Sequence, residues 1–165
     1  MNEPGVPDLR PERAVVGDPS PTVDSEITWL LHRAAQRLNN VTGEQAEKFG
    51  LQLRNYIVLS ALHKSTGLTQ AELGKAVGLD KTTLMSQLDR LEQRGLVVRN
   101  SHPTDRRIRI PVLTEDGETL RAQVADACAR AEAAALEQFS DAQVVTLRRM
   151  LFSIIGSHAD PGSCL

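Results

Sequence analysis

Four arginines, Arg99, Arg106, Arg107 and Arg109, fall within residues 97–110 against a single carboxylate, Asp105. Their local charge is +3 in a chain whose formal charge is −2 and whose pI is about 6.1. Cations concentrated in this way mark a phosphate-facing surface, because they gain backbone affinity by displacing condensed counterions. Just upstream stand Lys81, Thr82, Thr83, Ser86, Gln87 and Arg90, a run of hydroxyls, an amide and cations. Groups of these types match the donors and acceptors that base edges present in a major groove. An ordinary solvated helix face fits the same residues when they are taken alone; the basic stretch that follows favours the groove.

Positioning such residues requires particular elements, and the spacing supplies them. Leu84, Leu88 and Leu91 recur at i, i+4 and i+7, which makes one buried stripe on a helix ending near Arg94, with Gly95 as its stop. Asp80 is placed to cap that helix, and Leu79 to staple onto Leu84. A shorter helix precedes it, opened by the capping box Thr69-x-x-Glu72 and closed by Gly78. After it, residues 97–100 and 107–113 read as β-branched strands joined by the turn Ser101-His102-Pro103-Thr104-Asp105. Period-2 alternation puts Ile108, Ile110 and Val112 on one face and Arg107 and Arg109 on the other. Asp105 is placed to hold the turn by accepting backbone N–H groups, and Arg106, nearest the tip, to enter a minor groove. The whole is a winged helix-turn-helix.

The run Leu79-Asp80-x-x-x-Leu84, then Leu88-Asp89-Arg90-Leu91-Glu92-x-Arg94-Gly95-Leu96-Val97, then Pro103-x-Asp105-Arg106-Arg107 and Leu113-Thr114-x-x-Gly117, resembles the signature of MarR-family transcription regulators. The resemblance implies a dimeric winged-helix protein that binds a pseudo-palindromic operator in double-stranded DNA and usually represses. Family members are often released by small, frequently phenolic, ligands or by thiol oxidation. A further implication is an Asp–Arg pair tying wing to recognition helix, here Asp89 with Arg107.

Taken in order, residues 1–23 hold five of the eight prolines and read as an extended arm, either free or pinned against a partner. Residues 24–52 form a first dimerisation helix, running to about Phe49, and a linker. Residues 53–113 form the winged helix-turn-helix domain, residues 114–158 the long C-terminal dimerisation helices, and residues 159–165 a tail. Thr114 caps a helix expected to continue to Phe139, too long for a domain of this size to cover, and Ser140-x-x-Gln143 opens the last helix. The expected fold is mainly α with a small β-hairpin wing, a winged helix-turn-helix lobe on an all-helical dimerisation layer. Aromatic residues make up only 3% of the chain, so its core must be aliphatic. Neither a membrane span nor a signal-peptide core is visible, which places the protein in the cytoplasm.

No phosphate loop, nucleophile elbow or acid/base pair suggests an enzyme, and no cofactor is expected. The histidines have no metal-ligand spacing. Cys128 lies in an Ala-rich helix and reads as a small buried hydrophobe, Cys164 as a tail thiol. The peroxide-sensing branch of the family carries its reactive cysteine near the start of the first helix, where this chain has none. Trp29 and Tyr56, the single Trp and Tyr, lie on helices that in this family flank a cleft. Either they fill the core, or with His32, Arg33 and His63 they receive an aromatic acid. Three functional readings remain: a ligand-released homodimeric regulator, an interaction module or DNA coat without sequence choice, and a thiol-based redox sensor.

Overall fold

In the computed structural model, residues 22, 24–105 and 107–155 are described. Six helices and one antiparallel hairpin follow in the order α1 (Ile27–Lys48), α2 (Leu53–Lys64), α3 (Gln70–Ala76), α4 (Lys81–Gln93), β1 (Val97–Ser101), β2 (Arg109–Leu113), α5 (Glu115–Ala135) and α6 (Asp141–Ile155). They fall into two units divided between Ala35 and Gln36, a boundary that α1 crosses. The expected arm over residues 1–23 and the tail over residues 159–165 lie outside the described residues, apart from Thr22.

The second unit is built around aliphatic side chains from α2, α3, α4, β1 and α5. Val58, Leu59, Leu73, Leu88, Leu91, Val97 and Val124 are fully buried in it. Each such side chain contributes about 1.5–3 kcal/mol through removal from water. The expected helix starts are present: Thr69 and Glu72 satisfy each other's backbone N–H groups, and Asp80 accepts from the Thr83 N–H at 2.9 Å. The resemblance motif Thr114-x-x-Gly117 has a steric cause. A Cβ at Gly117 would sit 2.0 Å from the Leu96 carbonyl oxygen, so only glycine lets α5 begin against the chain leaving α4. Thr114 reinforces that junction, donating its hydroxyl to Gly95 O at 2.7 Å and accepting from the Gly117 N–H at 3.0 Å.

Three expectations are corrected or completed. First, α5 ends at Ala135 rather than Phe139. The capping box of Ser140 with Gln143 needs extended backbone at residue 140, and the Leu136 N–H closes α5 onto Glu132 O and Ala133 O. Secondly, the register settles which of the two expected faces of the wing turns inward. Val97, fully buried, pairs with Leu113, and Arg99 with Pro111, so Pro111 is buried while Ile108 and Val112 face outward. Thirdly, Trp29 is 41% exposed and Tyr56 half-buried, so neither is a fully enclosed core side chain. No helix among the described residues is long and apolar enough to cross a membrane.

Candidate nucleic-acid interface

Helix α4 turns its leucines inward because the stripe Leu84, Leu88 and Leu91 is buried, which leaves Lys81, Thr82, Ser86, Asp89 and Arg90 exposed. The Thr83 hydroxyl donates to Asp80 Oδ2 at 2.6 Å, so this side chain serves the cap first. That bond, with the Thr83 backbone N–H, holds the Asp80 carboxyl below the usual carboxylate range. Gln87 is corrected as a base-reading residue. It is 5% exposed, and its Oε1 accepts from Asn55 Nδ2 of α2 at 2.7 Å. Position 87 is i+3 from Leu84 and so belongs to the inward stripe.

The tie between wing and α4 is also corrected. Asp89 pairs with Arg99 at 2.8 Å, and Arg99 also engages Glu92, whereas Arg107 turns back onto Asp105. Arg99 lies on the inward parity of β1, beside Val97, which brings it to α4; Arg107 precedes β2 and is almost fully exposed. Arg99 therefore anchors the wing and does not present a free cation to phosphate. Asp105 accepts from the Arg107 N–H at 2.9 Å and closes the turn. Arg109 donates to Ser101 Oγ at 2.6 Å, and Arg106 lies outside the described residues.

Between α3, the start of α4 and the wing lies a cavity of about 680 Å³. Lys75, Lys81, Arg107 and Arg109 line it, all exposed, alongside apolar Leu79, Met85 and Ile108. Lys75 was not singled out from the sequence, since a lone lysine on a short helix carries no signal. Asn55 was legible in principle: it interrupts the buried series Leu51, Val58, Leu59 and Leu62, and an amide in such a stripe needs a partner.

Arg99 holds the Glu92 carboxyl below its ordinary range, chiefly through their hydrogen bond. A depressed carboxylate stabilises the fold above its unfolded pKa and loses that contribution as pH falls through the folded one. The melting temperature of Glu92→Gln is therefore expected to lie below that of the unmodified protein at pH 7. The gap should close from about pH 5 downward. A gap that is constant to pH 3 would contradict the pairing.

The residues expected to take a ligand fall in both units. In the first, Trp29 and His32 stack with ring centroids 5.9 Å apart and 19° between planes, and Arg33 is exposed. In the second, Tyr56 packs at the core edge, and His63 Nδ1 lies 3.0 Å from Glu118 Oε2, a carboxylate that Arg121 also holds. Cys128 is buried and its Sγ donates to Thr42 O at 3.5 Å; burial pushes the thiol up, away from thiolate reactivity. Cys164 lies outside the described residues.

Against this geometry, a model of the MarR family matches residues 49–108. A MarR-family transcriptional regulator from Rhodococcus sp. RHA1 superposes with a TM-score of 0.75 at 30% identity, covering 82% of this chain and 96% of that one. The chain belongs to the MarR family. CouR from Rhodococcus jostii RHA1, solved bound to p-coumaroyl-CoA, gives a TM-score of 0.71 at 29% identity over 82% of this chain and 95% of CouR. CouR is also solved as a transcriptional repressor bound to a 23-mer DNA duplex. The repressor NicR from Pseudomonas putida is 36% identical over 98 residues, 59% of this chain, which spans 62% of NicR. This MarR-family chain is thus a winged-helix transcription regulator.

Proposed function

We propose that this regulator binds a pseudo-palindromic duplex as a homodimer, represses from that site and is released by a small aromatic acid. The carrying observation is the convergence of Lys81 of α4 with Lys75 of α3 and the wing arginines Arg107 and Arg109 around one cavity, on a helix that also exposes Thr82 and Ser86. Hydroxyls there suit base edges, and cations suit phosphate. In this reading residues 53–113 read DNA, while residues 24–52 and 114–158 supply the dimer layer. Support for the latter comes from α6, which buries none of its residues within the chain. Two copies then present two recognition helices one helical turn apart, about 34 Å.

For the effector, the proposed contacts within the first unit are the stacked Trp29 and His32 with Arg33, the rings meeting an aromatic group and the cation its carboxylate. CouR's bound p-coumaroyl-CoA supports a ligand with an aromatic acyl group. A salt titration on operator and random duplexes tests the DNA reading. A large operator preference is expected to persist at each salt concentration, whereas equal affinities would favour a protein that coats DNA.

The wing supplies a second test. Arg107→Ala is expected to reduce the slope of log K against log salt by about one, as loss of a phosphate contact should. Arg99→Ala should lower affinity with little change in slope, because its side chain is only 19% exposed between Asp89 and Glu92, whereas that of Arg107 is 91% exposed beside Asp105. Equal slope changes in the two variants would contradict this division.

A further inference from the structure

The recognition helix is held by apolar packing and by three polar rungs from one short stretch of chain. Arg94 Nη1 donates to Gly50 O at 2.6 Å, Arg90 Nη1 to Gln52 Oε1 at 2.9 Å, and Asn55 Nδ2 to Gln87 Oε1 at 2.7 Å. The rungs leave α4 at positions 87 and 90 and its C-cap at Arg94, one side of the helix at i, i+3 and i+7. They land in order along the junction of α1 and α2. Gln52 is itself informative: it occupies the N-cap position of α2, yet its side chain caps nothing there and reaches Arg90 instead.

Apolar contact is non-directional, so the stripe Leu84, Leu88 and Leu91 fixes how deep α4 sits more firmly than how it is rolled. Roll matters for readout. A rotation of about 20° moves a side-chain tip roughly 6 Å from the helix axis by about 2 Å, enough to break a base contact. Directional hydrogen bonds resist that rotation. The Asn55–Gln87 bond does so most strongly, since both residues are 5% exposed and an unpaired amide there has no water to turn to.

We propose that Gln52 and Asn55 are positioning residues that set the roll of the recognition helix, and so determine sequence selectivity without touching DNA. The proposal rests on the operator-binding reading above. Its test is the ratio of operator to random-duplex affinity at fixed salt, with the melting temperature measured alongside. Replacing both buried amides, Asn55→Leu with Gln87→Leu, removes the bond without stranding a polar group, a change that is often neutral for stability. The double variant is expected to melt cooperatively and keep its random-duplex affinity. Its ratio should fall about tenfold, the equivalent of one good base contact.

Gln52→Ala, at an exposed position, should lower the ratio in the same direction by a smaller factor. If the double variant does not fold, Gln52→Ala decides the matter alone. A preference that the unmodified protein has and every folded variant retains overturns this inference. An unmodified protein without any preference overturns the operator reading and this inference with it.

Discussion

Leu151→Asp is expected to turn the protein into a monomer and to weaken operator binding by about 10²–10⁴-fold, the advantage that linking two sites confers. Phe139, Val145, Leu147, Met150, Phe152, Ile154 and Ile155 are exposed on α6 and the turn before it, with Leu151 half-buried among them. Monomeric proteins rarely leave so many large apolar side chains of one helix in water. In a two-fold interface a new carboxylate also meets its own symmetry mate, or at least an apolar surface that cannot solvate it. Sedimentation of the two proteins at micromolar concentration reads the change. A variant that remains dimeric with undiminished affinity would contradict the assignment of α6 to the interface.

The second large effect is expected at the start of α4. Thr82 and Ser86 are exposed there, while Thr83 is committed to the Asp80 cap and Gln87 to Asn55. Thr82→Ala and Ser86→Ala should each relax base choice at one operator position, at a cost on the order of 1–3 kcal/mol for the preferred base. Binding to a panel of single-substitution operators measures this. Equal losses on every sequence would make both residues backbone contacts only. Thr83→Ala should instead act through the cap and lower the melting temperature.

The elements were legible because their signals are local. The capping boxes at Thr69 and Ser140, the caps at Asp80 and Thr114, and the leucine stripe of α4 all act within one or two turns. What escaped depended on distance in the chain. Arg99 and Arg107 look interchangeable in sequence, and only the register pairing Val97 with Leu113 turns Arg99 towards Asp89 and Glu92. Gln87 resembled its exposed neighbours in chemistry but shares the angular position of the buried leucines. Its partner Asn55 is 32 residues away, so two weak hints, an amide in each of two apolar stripes, had to be combined. Conversely, the motif around Gly117 became physical once Leu96 O was seen to occupy the space of a Cβ.

Footprinting the purified protein on genomic fragments that it selects shows whether a symmetric pair of recognition helices reads a specific duplex. Protection is expected over a pseudo-palindrome whose half-site centres lie about 10 base pairs apart, or a multiple of that spacing. Each half-site should lose protection together when Leu151 is replaced by Asp. Uniform protection without a preferred sequence, or a single unpaired half-site bound by one chain, would contradict that symmetric reading.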